Sequence, residues 1–308
     1  MIEPTKHVWL DGALHIAEDT RVDLLTHSLH YGYAALDGFR SYRQDDGTIS
    51  VFRLHDHLRR LRRSASFIGL EIPFDEDQLV AGTLHLLGVD GLADAYVRPL
   101  VFVGAPNIVF AHWLNQAHVA MMAFPWAGYS DRDQDAGTPA TVARYRRNSA
   151  QGGLFGAKLT GHYMLSVLAY GEARRAGMQQ AVFLDDEGFV CECTGENIFA
   201  VQGEAIVTPP ARRALLPGIT RDSVLTLAAD LGLRTAEQDL TVHDLLAADE
   251  VFSTGTASGI LPLPSLDGRP IGTGEHAVSR ALRERYVSIA RGRAADHADW
   301  ITPVPFDG

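Results

Sequence analysis

Three turns in the second half of the chain, Asp186-Glu187-Gly188, Gln202-Gly203-Glu204 and Asp267-Gly268, each separate two strand-like runs. Glycine and aspartate in such turns supply the backbone angles that a tight hairpin needs, so each one predicts a strand pair. The apolar periodicity around them predicts helices over 220–231, 242–247 and 276–291. Strand pairs mixed with intervening helices imply an α+β fold rather than a regular βαβ succession.

The first half repeats the pattern. One hairpin is expected to turn at Asp11-Gly12 between Val8-Trp9-Leu10 and Ala13-Leu14-His15, and a second at Asp45-Asp46-Gly47. Leu54, Leu58, Leu61, Ala65 and Ile68 recur at helical steps. A further helix is expected from Asp75 to Gly88, then apolar strands over 95–103 and 118–124. Residues 125–139 are rich in Gly, Asp and Pro and read as a linker. At 308 residues the chain exceeds one ordinary core. The expected division is a small domain over 1–124, the linker, and a larger C-terminal domain over 140–308. The latter opens with a strand over 141–145, and a helix carries Tyr163, Leu165, Leu168 and Ala169 towards Gly177. Trp300 and Ile301 predict that the tail docks.

The net charge of −11 argues against nucleic acid or an anionic membrane as main partner. No apolar run reaches the length of a transmembrane helix. Cys191 and Cys193 are too close for an ordinary disulfide, and no second pair of zinc ligands follows them, so no metal is expected. A reducing cytoplasm is the expected compartment.

Chemistry concentrates at a few positions. Lys158 lies in Gly156-Ala157-Lys158-Leu159-Thr160-Gly161-His162-Tyr163, among small or apolar neighbours. Glu192 is the isolated acid of Phe189-Val190-Cys191-Glu192-Cys193, and alternation turns it away from both cysteines. Leu216-Pro217-Gly218-Ile219-Thr220-Arg221 opens a helix, where backbone donors and the helix dipole favour an anion. Gly255-Thr256-Ala257 offers a hydroxyl and turn amides after an apolar strand. An amine for a Schiff base, a ring-nitrogen acid and phosphate donors are the parts that pyridoxal 5′-phosphate needs. Each part also has an ordinary reading: a surface lysine, an edge-strand charge, a helix cap, a turn. Arg59, Arg60, Arg62 and Arg63 flank the first apolar helix stripe, mostly as a solvated face, with one arginine available for a two-pronged phosphate contact.

Taken in order, His30-Tyr31-Gly32, Asp37-Gly38-Phe39-Arg40, Tyr96-Val97-Arg98-Pro99, Phe124-Pro125-Trp126, Lys158 to Tyr163, Gly195-Glu196-Asn197, Leu216 to Arg221 and Ser253 to Ala257 resemble the class IV pyridoxal-phosphate aminotransferases. The likeness is closest to the branched-chain amino acid aminotransferases. It implies the fold type IV, D-amino acid aminotransferase-like architecture: two α/β domains joined by an interdomain loop. Lys158 matches the Schiff-base lysine, Glu192 the ring-nitrogen acid and Tyr163 the phenol at the cofactor O3′. Arg60, Ile219, Thr220 and Thr256 match the phosphate cup. Thr256 and Ala257 match the turn that holds the substrate α-carboxylate, and Tyr96 and Arg98 the pair that meets a side-chain carboxylate. Trp126 and Tyr129 match pocket walls, and Tyr31 matches a residue contributed across a dimer interface. The resemblance implies a homodimer or higher assembly.

Departures cluster where specificity is set. Leu36 stands where an aromatic is common, and Asp37-Gly38-Phe39-Arg40 where an acid precedes Gly-Ile-Arg. Pro106 to Trp113 replaces a glycine-rich loop, the 148–153 segment lacks a usual proline, and Gly259 replaces an acid. The expected activity is ping-pong transamination between an L-amino acid, leucine, isoleucine or valine first, and 2-oxoglutarate. The rivals are a D-amino acid or amine aminotransferase, a specialised-pathway aminotransferase, an aminodeoxychorismate-type lyase, and a non-catalytic cofactor-binding or assembly protein.

Overall fold

The computed structural model describes residues 5–128, 134–147 and 155–305. They form two compact units: Met1–Ala127 with Ala157–Gly161 and Ser288–Gly308, and Gly128–Gly156 with His162–Val287.

The first unit opens with the expected hairpin, β1 (His7–Leu10) and β2 (Ala13–Ile16), and Asp11 and Gly12 both take positive φ at its turn. Then come α1 (His27–Tyr31), β3 (Ala34–Leu36), β4 (Phe39–Arg43), β5 (Ile49–Phe52), α2 (Leu54–Phe67), α3 (Glu76–Val89), β6 (Ala95–Val103) and β7 (Ala117–Pro125). The sheet runs from the C-terminal strand Ile301–Val304 through β5, β4, β6, β7 and β1 to β2, with β3 also paired to β6. The α2 stripe Leu54, Leu58, Leu61 and Ala65 is fully buried and shares one core with Phe39, Val51, Val97 and Val101. Asp75 caps α3 through a capping box with Gln78.

The expected C-terminal domain over 140–308 is not continuous, because the chain returns to the first unit twice. At 157–161, the apolar side chains of Ala157 and Leu159 join the first core, and Leu159 bridges to Ala35. At the tail, Ile301–Val304 pairs antiparallel with β5, and Trp300 packs edge-on against Phe52. Composition could not reveal either return, since each depends on a partner far away in sequence.

The second unit contains β8 (Ala140–Arg147), α4 (Tyr163–Arg175), β9 (Gln180–Asp185), β10 (Val190–Cys193), β11 (Asn197–Gln202), β12 (Ala205–Thr208), α5 (Ile219–Asp230), β13 (Arg234–Glu237), α6 (Val242–Ala247), β14 (Glu250–Gly255), β15 (Gly259–Pro262), β16 (Ser265–Leu266), β17 (Arg269–Pro270) and most of α7 (Ala277–Ala290). Two five-stranded sheets result, ordered β10-β9-β8-β16-β17 and β13-β12-β11-β14-β15. The three turn-marked hairpins are present. So are three parallel pairs: the short β16 with β8, and β8 with β9 and β12 with β13, whose connections carry α4 and α5 and make two βαβ units. The fold is α+β, with these two units embedded in it. Among the described residues, no helix is long and apolar enough to cross a membrane.

Candidate active site

In the first unit, Lys158 is held by its backbone. Its amide donates to Ser64 Oγ at 2.9 Å, and its carbonyl accepts from Leu36 N at 3.0 Å. Ala157 and Leu159 on either side sink into the core, so strand-like alternation leaves Lys158 half-buried. Thr160 Oγ1 donates to the carbonyl of Gly32 at 2.6 Å and so fixes the other end of the segment.

Of the four arginines on α2, Arg60 alone is buried. Its Nε and Nη2 each approach the Asp37 carboxylate at 2.8 Å, and His57 Nδ1 meets the same carboxylate at 2.8 Å. Asp37 is inaccessible to solvent. Burial alone would raise its pKa, but the Arg60 charge and the hydrogen bonds from Arg60 and His57 hold it far below the usual carboxylate range. Burial lowers the His57 pKa, aided by Arg60 and Lys158, against an opposing pull from Asp37. This three-residue cluster escaped sequence reading. The i,i+3 spacing of His57 and Arg60 around an apolar stripe, together with one acid in an apolar run, was the available signal.

Tyr96 and Arg98 lie two apart on β6, hence on one face. Arg98 Nη2 donates to Tyr96 Oη at 3.1 Å. Tyr96 stacks on Phe124, and Trp126 lies 6.2 Å away, ring to ring. A Cβ added at Gly38 would sit 1.7 Å from Tyr96 Oη, so the aromatic position requires this glycine. Leu36 is buried on β3. Tyr31 is exposed; its hydroxyl donates to the Ile108 carbonyl, and its ring touches Phe110, which joins it to the bulky 106–113 loop. Tyr129 and the 148–153 segment lie outside the described residues.

In the second unit, Glu192 is buried rather than an edge-strand charge facing solvent. Arg147 pairs with it at 3.0 Å, and this guanidinium lies over the rings of Phe183 and Phe155. Such a partner offsets much of the desolvation of a buried carboxylate. The flanking Cys191 and Cys193 are also buried and are thiols rather than a disulfide, and burial above all pushes the Cys191 thiol up to about 12. Tyr163 begins α4 and is half-buried.

Gly218 precedes α5 without a side-chain cap, so the first-turn amides of Ile219 and Thr220 have no intrahelical acceptor. Both residues are buried. Thr256 and Ala257 occupy the turn between β14 and β15, flanked by Thr254 and Ser258, whose buried hydroxyls find no hydrogen-bond partner among the described residues. Gly259 takes φ +74, a conformation that explains why an acid there would be strained. An uncapped buried helix start, orphaned hydroxyls beside a turn and a buried carboxylate fit a ligand that carries a phosphate and a basic ring nitrogen.

The amino-transferase class IV family model matches residues 35–266. The branched-chain-amino-acid aminotransferase of Pseudomonas aeruginosa is 36% identical over 299 residues, covering 96% of this chain and 97% of that protein. Among solved structures, the T.th. branched-chain amino acid aminotransferase complexed with N-(5′-phosphopyridoxyl)-L-glutamate superposes with a TM-score of 0.93. It is 34% identical and covers 99% of this chain and 100% of that one. The Thermoproteus uzoniensis branched-chain aminotransferase with norvaline gives a TM-score of 0.92 at 37% identity, covering 98% and 100%. The chain belongs to the class IV amino-transferases.

Proposed function

We propose that this chain is a pyridoxal 5′-phosphate-dependent aminotransferase that moves the amino group of leucine, isoleucine or valine to 2-oxoglutarate in two half-reactions. The observation that carries the reading is the near full-length likeness to branched-chain aminotransferases. Lys158, Tyr163 and Glu192 are the residues that the resemblance assigns to the amine, the phenol and the acid. The cofactor, when bound, supplies an electron-withdrawing ring that acidifies the substrate α-carbon. Lys158 supplies the amine and then carries the proton to and from that carbon. Glu192, paired with Arg147 at 3.0 Å, would hold the ring nitrogen and keep it protonated. Tyr163 donates to the ring hydroxyl. Arg60, Ile219, Thr220 and Thr256 bind the phosphate, and Asp37 fixes the plane of the Arg60 guanidinium.

Thr256 and Ala257 hold the α-carboxylate. The Arg98–Tyr96 pair receives the side-chain carboxylate of glutamate or 2-oxoglutarate. Leu36 and Trp126 line the side-chain pocket for the apolar donor, Tyr129 is assigned to it by the family resemblance alone, and Tyr31 is contributed across the dimer interface. A homodimer or larger homo-oligomer in a reducing cytoplasm completes the reading, supported by exposed Leu29, Tyr31, Phe110 and Trp113 on the first unit. Light scattering should then give at least twice the chain mass.

Assays with leucine, isoleucine, valine, D-alanine and an aromatic amine, each against 2-oxoglutarate, test the substrate class. The three branched-chain donors should turn over, within about 10–200-fold of one another, since one methylene in an apolar pocket discriminates no more strongly. Turnover of D-alanine or the amine alone would overturn the assignment.

A further inference from the structure

Leu216 is gripped at both of its backbone polar groups. Its N–H donates to Glu192 Oε2 at 3.0 Å. Its carbonyl accepts from Asn197 Nδ2 at 2.8 Å. Two residues later Gly218 opens α5, and a Cβ there would lie 2.1 Å from Asn197 Oδ1. Gly218 has φ −72 and ψ 141, an ordinary extended conformation, so its backbone does not demand glycine. What excludes a side chain is the Asn197 amide. Both ends of that amide are therefore committed to the approach to α5: the nitrogen holds the Leu216 carbonyl, and the oxygen sets how closely the chain passes at Gly218. At the other end of the helix's first turn, Arg221 Nη2 donates to the Pro209 carbonyl at 3.0 Å.

We propose that Asn197 is a positioning residue that aims the first amides of α5 at the cofactor phosphate. The inference rests on the reading of Ile219 and Thr220 as phosphate donors. Asn197 does not touch the ligand; it acts through the Leu216–Gly218 backbone. Backbone donors fixed before the ligand arrives bind without reorganising, so a loosened approach weakens phosphate binding and leaves the contacts of the pyridine ring in place.

The test titrates the cofactor-free full chain with pyridoxal 5′-phosphate and, separately, with pyridoxal, following absorbance. The wild type should prefer the phosphorylated form. Asn197→Ala and Asn197→Asp, the latter isosteric but unable to donate to a carbonyl, should each lower that preference about tenfold, the equivalent of one hydrogen bond. Pyridoxal affinity itself should move little. Gly218→Ala should reproduce the loss. The double variant Asn197→Ala/Gly218→Ala should be no worse than Asn197→Ala alone, because the collision is gone.

A wild type without preference would remove the phosphate assignment itself. A wild-type preference kept intact in the Asn197 variants would overturn the positioning role, as would fully additive losses in the double variant. Should the Asn197 variants fail to fold, Gly218→Ala decides alone: a preference like the wild type's rejects the proposal.

Discussion

The densest chemistry in the first unit is the Asp37–His57–Arg60 cluster, and it ties stability to pH. Asp37 has a pKa lowered from its ordinary value of 3.8, and His57 one lowered from 6.5. In both cases the unfolded chain binds protons more readily, so the stabilisation is complete above the unfolded value and is lost on acidification. Titration of His57 is expected to weaken the fold as pH falls below about 6.5, and Asp37 adds to the loss below about 4. Urea melts across pH 4–8 should show that decline, and His57→Gln should flatten its upper part. Asp37→Asn leaves Arg60 buried against a neutral amide and should destabilise by about 3–5 kcal/mol. An unchanged urea midpoint would contradict the ion pair. Gly38→Ala, through its clash with Tyr96, should raise KM for 2-oxoglutarate more than KM for leucine, a split that steady-state kinetics reads directly. These residues were only half legible beforehand. Helix phase alone left four arginines equivalent, and only the depth of Asp37 singles out Arg60.

Elements whose signals are local were readable from the chain. The α2 stripe, the Asp11-Gly12 turn and the start of α3 at Asp75 each follow from periodicity or capping within a few residues. Asp75→Ala removes the α3 capping box and should reduce stability by about 0.5–2 kcal/mol in a denaturant melt. Elements that depend on distant partners were not readable. Nothing near Val142 announces a parallel partner at Val182, and the tail announced only that it docks, not that it completes a sheet on β5. Trp300→Ala should test that docking. Loss of a buried indole is expected to cost about 3–5 kcal/mol, and a change below about 1 kcal/mol would mean that the tail is ornamental to the first unit.

At the scale of the molecule, the second unit offers a buried acid and an uncapped helix, and the first a lysine fixed by its backbone. The departure at Leu36 changes a side chain, while its backbone amide still holds the Lys158 carbonyl, and the 106–113 loop adds exposed apolar surface. The central claim is that Lys158 carries the cofactor. The sequence sharpens its test, because the chain holds only two lysines, Lys6 and Lys158. Protein reconstituted with pyridoxal 5′-phosphate, reduced with borohydride and digested should yield a phosphopyridoxyl adduct by mass spectrometry on the peptide containing Lys158. An adduct on Lys6 alone, or none at all, would contradict the account.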